Sequence, residues 1–259
     1  MIKVKLIAIA VLLCACSTIQ AQNAHFTTSG TIEFEKSVNT FAIIKRLYGN
    51  NMEGFLQQAF DQYKKTQPQF KVLKSTLTFD NNKTLFTPIV PETVQSSFFN
   101  LPIAEQNNTV YSDFATNTST VQKTVFEQTF LVKDTMRKIK WKITDETRQL
   151  AGYTCRRANG LMMDSIYVVA FYTDQIPVSG GPESFSGLPG MILEVALPHE
   201  NIIWRATKVT DRAVEYGAVA PPRKGKPVNN KQLFETLQSV FKNRGNPEQI
   251  NLIIKSYLL

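Results

Sequence analysis

The sequence predicts a mainly β fold, an antiparallel meander rolled into a curved sheet or half-barrel. A helical insertion near 41–66 and helices at the C-terminus accompany it. Three observations carry this expectation. Short apolar–polar alternations recur between residues 31 and 209 with turn residues between them, and no helices alternate with them, which favours hairpins over crossover units. A sheet of about eight or more strands tends to curl. The chain has 259 residues, 43% hydrophobic and 19% charged, with only 12 Gly and 12 Pro, which excludes fibrous and disordered classes.

Residues 1–21 have the layout of a secretory signal. Lys3 and Lys5 precede an apolar run over 6–15, and small residues follow. The run is too short to span a bilayer as a helix. Two processing routes stay open. Ile19-Gln20-Ala21 suits an ordinary signal peptidase, and Leu13-Cys14-Ala15-Cys16 has the form of a lipobox with Cys16 as the lipidated residue. Either route places the protein in the periplasm or at the outer membrane, the second through a lipid anchor. Residues 22–259 are then expected to form a single β-rich domain with a helical tail over 229–259.

Within that domain, Ile32 and Phe34 alternate with Glu33 and Glu35 in a half-buried strand over 31–36. Phe41, Ile44, Leu47 and Tyr48, then Phe55, Leu56, Ala59, Phe60 and Tyr63, recur at helical spacing. Gly49-Asn50-Asn51 interrupts them and Pro68 ends them. Strands over 70–79 and 83–87 flank Asp80-Asn81-Asn82, a hairpin signal. Residues 88–109, rich in Pro, Ser and Asn, read as a loop. One long strand is expected over 121–133. Ile139, Trp141 and Ile143 alternate with Lys138, Lys140 and Lys142. Further strands are expected over 149–157, 165–173, 192–196 and 202–209. Residues 221–227 (P-P-R-K-G-K-P) form a basic linker. Asn229 or Asn230 caps a helix carrying Leu233, Phe234, Leu237, Val240 and Phe241 on one face. Gly245 ends it and Pro247 opens a last helix.

The chemistry-bearing residues are sparse. Of three cysteines, Cys14 and Cys16 lie in the signal, so Cys155 has no partner for an internal disulfide. The net charge of +8 reads first as a solvated basic face; as a partner surface of an exported protein it points toward anionic envelope surfaces or acidic ligands and away from nucleic acid. Lys138, Lys140 and Lys142 mark a wet sheet face or a strand edge guarded against pairing. A serine or cysteine hydrolase needs a histidine held by an acid. The chain has only His25 and His199, and His199 sits between Pro198 and Glu200 in an expected turn. Ser184 and Ser186 lack the flanking glycines of a nucleophile elbow. Gly180, Gly181, Gly187 and Gly190 are followed by a strand and no Gly-Lys-Ser/Thr, unlike a phosphate loop. Cys155, Met162, Met163, Met191 and His199 are soft donors able to hold copper(I), but their spacing matches no ligand pattern. No cofactor is expected.

The most distinctive stretch is Ser186-Gly187-Leu188-Pro189-Gly190-Met191-Ile192-Leu193-Glu194-Val195. It resembles the GLPGLI family of exported Bacteroidetes proteins, with Met191 in place of the motif's second leucine. Gly152-Tyr153-Thr154-Cys155, Ile176-Pro177, and Gly181-Pro182-Glu183-Ser184-Phe185 are similar to other family segments. The resemblance runs over about 28–210 and is weakest at 41–66. It implies an envelope location and a shared fold. Pro189 fixes its own φ and pushes Leu188 toward an extended conformation, and Gly187 and Gly190 allow positive φ or close approach. The unit is therefore a rigid turn that aims Leu188, either plugging the end of the sheet or touching a ligand or partner. The expected function is a non-catalytic binding or accessory protein of the envelope, holding a hydrophobic ligand or a partner protein. A hydrolase using Asp174, Glu183 or His199, and a copper binder, are the alternatives.

Overall fold

A computed structural model describes residues 26–90, 98–99, 101–105, 107–242 and 247–259. The signal with Cys14 and Cys16, His25 and Gly245 lie outside the described residues. The architecture is mainly β. β1 (Ser29–Asn39) leads into α1 (Thr40–Tyr48), a short 3-10 turn and α2 (Phe55–Thr66), as the helical spacing predicts. Asn39 starts α1 by accepting a hydrogen bond from the Ala42 N–H at 3.1 Å. β2 (Phe70–Asp80) and β3 (Lys83–Ile89) form the expected hairpin. A four-residue α3 (Pro102–Glu105) and then β4 (Thr109–Asp113), β5 (Thr118–Val125) and β6 (Gln128–Thr135) follow. β7 (Lys140–Leu150), β8 (Tyr153–Met162), β9 (Ile166–Thr173), β10 (Met191–Leu197) and β11 (Ile202–Asp211) form a second meander. The chain ends in β12 (Lys226–Val228), α4 (Asn230–Phe241) and α5 (Pro247–Leu258).

Among the described residues these strands form one sheet in the order β12-β6-β5-β4-β3-β2-β1-β11-β10-β9-β8-β7. Two meanders meet where β1 pairs antiparallel with β11. Only β12, beside β6, runs parallel to its neighbour. The connection from β6 to β7 forces the curvature. Those strands stand ten steps apart in the sheet, about 48 Å if it were flat. Only residues 136–139 join them, a reach of at most about 18 Å. The sheet must therefore curve strongly enough to bring the end of β6 within that reach of the start of β7, and it is the open, curved sheet of the sequence reading.

Side chains on the inner face continue the strand alternations. Ile32, Phe34 and Val38 of β1, Leu77 and Phe79 of β2, and Trp204 of β11 are all at most 2% exposed. Helix α4 begins with a reciprocal capping box between Asn229 and Gln232. It lays Leu233, Leu237 and Phe241 with Ile254 and Tyr257 of α5 over Phe130 and Val132 of β6. Phe234 and Val240, placed on the same face by the sequence, stay partly outside.

Four expected segments are corrected. The single strand over 121–133 is a hairpin, broken where Phe126 takes φ +53°. No Gly or Asn announces that turn, so the sequence reads through it. The strand over 149–157 is two strands, turning at Ala151-Gly152 with φ +48° and +88°. The loop over 88–109 and the linker over 221–227 each yield an edge of regular structure, α3 with the start of β4 and the start of β12.

Candidate functional site

The 174–190 segment between β9 and β10 is long for a hairpin loop and runs inward instead of over the surface. Its backbone is tied to itself and to β10. The Met191 N–H donates to Ile176 O at 3.0 Å, Ile192 N–H to Gly180 O at 2.8 Å and Gly187 N–H to Ser179 O at 3.2 Å. Trp141 of β7 donates from Nε1 to Ser186 O at 2.9 Å. Ile176, Val178, Phe185 and Leu188 are buried, and the Phe185 ring lies 5.6 Å from that of Trp204. The Gly-Leu-Pro-Gly turn is thus a plug in the core, with Leu188 aimed inward. Pro177, Gly187 and Pro189 remain at the surface, and Gly152 sits in the exposed β7–β8 turn. Gly181 and Pro182 are buried, and a Cβ on Gly181 would come within 2.9 Å of Ile192 Cβ.

Beneath this plug lies a buried charged cluster that sequence reasoning missed. Lys36 occupies the inward register of β1 after Ile32 and Phe34, and Lys123 occupies that of β5 between Val121 and Val125. Glu183, in the loop, is buried between them and takes φ +51°. That conformation is strained for a side-chain-bearing residue and persists because the surrounding loop fixes it. Asn108 Nδ2 donates to Glu183 Oε2 at 3.1 Å. Lys36 Nζ stands 5.1 Å from the Trp204 ring centroid, a cation–π distance. Lys123 Nζ donates to Tyr257 O at 2.5 Å and Arg137 Nη2 to Leu258 O at 2.7 Å. Two cations therefore meet carbonyls at the C-terminal end of α5, where the helix dipole favours them.

Burial pushes the Glu183 carboxyl above its ordinary range, and the two lysines oppose that push. Burial lowers Lys36, and Glu183 partly offsets it. Lys123 is lowered to about 8, again chiefly by burial, from an ordinary 10.5. Between pH 8 and 10.5 the folded chain has released this proton and the unfolded chain still holds it, so the contribution of Lys123 to stability rises with pH across that window. Urea titrations at pH 8 and pH 10 should show that rise, and it should shrink in Lys123→Met. An equal rise in both proteins would remove Lys123 as its source.

The other sequence candidates are scattered. His199 and Asp174 are exposed, and among the described residues no hydrogen bond or ion pair joins either to Glu183. The carbonyl of His199 accepts from Arg46, which also pairs with Glu200. Among the soft donors, Met162 Sδ accepts from Arg137 at 3.2 Å, and Met163 turns the chain with φ +51°. Met191 is buried at the start of β10. No group of three or more His, Cys, Asp or Glu converges among the described residues. Lys140 and Lys142 are exposed on the terminal strand β7, opposite in facing to Trp141.

Cys155 is fully buried on β8, and its thiol is pushed up to about 12 by burial and then by Glu194. A thiol reagent at pH 8 should label it more than about tenfold slower in the folded protein than in denaturant, because the thiolate is both scarce and shielded. Equal rates would contradict this burial. Glu194 itself braces the motif strand from the other side. It is buried between Arg148, 2.5 Å away, and Arg205.

A family model described as a protein of unknown function (Porph_ging) matches residues 159–194, from β8 through the loop into β10. No curated protein matches the chain. Solved structures share its fold. PNGF-II, in P21 and C2 crystal forms, aligns with a TM-score of 0.50 and 14% identity in each, over 81% and 88% of this chain. The chain spans about a third of PNGF-II, 33% in both forms.

Proposed function

We propose that this is an exported cell-envelope accessory protein of the GLPGLI type that binds a partner protein on its outer surface and does not turn over a substrate. The filled interior carries this reading. Small-molecule sites occupy about 300–1,000 Å³. The cavities around the buried cluster measure only about 10 to 40 Å³. The larger hollows, about 580 and 530 Å³, are open depressions beside Pro221, Pro222 and Arg223 and along β12 and α4. Rigid proline and basic side chains there suit a surface contact. The envelope address rests on the signal-like residues 1–21 and on the family-like motif, and Cys16 remains the candidate for lipid attachment.

Native mass spectrometry of protein purified from its own envelope tests the reading directly. The expected species carries no stoichiometric lipid beyond any acyl group covalently attached at Cys16, and a photo-crosslinker at Pro222 traps one defined envelope protein. A bound lipid would restore the carrier alternative. Esterase, peptidase and glycosidase substrates should likewise show no turnover that His199→Ala abolishes, and turnover lost in that variant would promote the hydrolase.

A further inference from the structure

We propose that the small cavity lined by Lys36, Ser75, Asn108, Glu183 and Trp204 holds one internal water that bridges the Lys36 ammonium to the Glu183 carboxylate. The observation behind it is a coincidence of place. Two buried side-chain polar atoms lack a hydrogen-bond partner among the described residues, Ser75 Oγ and Trp204 Nε1. Both residues line the same cavity, together with Lys36, Asn108 and Glu183. Orphaned buried donors cost about 1–3 kcal/mol each, so native proteins satisfy them. The cavity measures about 10 Å³, the space one water needs.

The donor and acceptor inventory also closes around a single water. Trp204 N–H and Lys36 N–H can only donate, so the water oxygen accepts from them. The carboxylate of Glu183 can only accept and the Ser75 hydroxyl can do either, so the water's two hydrogens have destinations. Four partners are the full complement of a buried water. Among the described residues Lys36 and Glu183 form no direct salt bridge, though each feels the other's charge. A bridging water supplies the contact that the backbone geometry of β1 and the loop withholds. A halide in the same place would face the Glu183 carboxylate with no proton between them.

The test is a crystal structure of the whole mature protein, paired with a bromide soak and with oxygen-17 relaxation dispersion in solution. The expected result is one fully occupied, non-anomalous peak within hydrogen-bond reach of Trp204 Nε1 and one long-lived internal water. Trp204→Phe keeps a ring for Lys36 but removes the N–H, and should shorten that residence time about fivefold, the weight of one hydrogen bond. An empty chamber, an anomalous bromide peak, or an unchanged residence time in Trp204→Phe would each overturn the assignment. The wild-type crystal decides the matter even if the variant fails to fold.

Discussion

Replacing Glu183 with leucine is expected to lower the unfolding free energy by about 3–5 kcal/mol, the usual consequence of removing one partner from a buried charge cluster. Lys36 and Lys123 are both buried, Arg137 lies beside Lys123, and Glu183 is the acid whose charge both lysines feel. Without it the two ammonium groups keep their desolvation cost and lose the attraction that offsets it. The leucine would also reach no farther than the carboxylate it replaces, so no new packing compensates. Urea unfolding at pH 7 reads the effect as a lower midpoint at constant slope. Combining Glu183→Leu with Lys36→Met and Lys123→Met should recover most of the loss, since an apolar replacement of an entire buried ion cluster is often neutral or stabilising. A single variant as stable as the parent would show that the cluster is solvated and not buried as described.

Gly190→Ala should cost more than about 3 kcal/mol, beyond the ordinary range of overpacking, because its methyl has nowhere to go. A Cβ there would stand 2.1 Å from Thr173 O and 2.8 Å from its carbonyl carbon. Both are backbone atoms of β9, held by its ladder with β10. The neighbouring Gly187→Ala is a gentler change of a different kind. Its φ of +95° strains any side-chain-bearing residue, yet the nearest atom to its Cβ is Trp141 Nε1 at 3.5 Å. About 1–2 kcal/mol is expected there. Thermal or urea midpoints of the two variants side by side separate collision from conformation. Equal losses would mean that the plug yields as a unit and that neither cause is local.

Much of this fold was legible in the residues. Ile32 and Phe34, the Asp80-Asn81-Asn82 turn, the helical spacing of 41–66 and the Asn229 cap all carried their structure in local chemistry. The breaks at Phe126 and Ala151 did not, because tertiary pairing imposes a left-handed backbone on residues with no preference for it. β4 and β12 are short strands whose pairing is decided by their neighbours more than by their own composition. The buried cluster was half-legible. Lys36 after Ile32 and Phe34, and Lys123 between Val121 and Val125, stand on apolar registers, and a cation there signals a buried partner. The partner could not be named, since Glu183 reaches them only through a loop whose inward path follows from Leu188 and Phe185 being buried against distant strands.

The meeting of β1 with β11 also governs how the chain assembles. Most neighbouring strands within each meander join through short turns, but the ladder between the meanders pairs residues as far apart as Gly30 and Asp211, 181 positions along the chain. Local hairpins form in microseconds, whereas such distant pairing carries a large loop-closure cost and slows folding. The centre of the finished sheet is therefore its last ladder to close, and until then β1 and β11 are two bare hydrophobic edges. That interval is when association with another copy competes with folding.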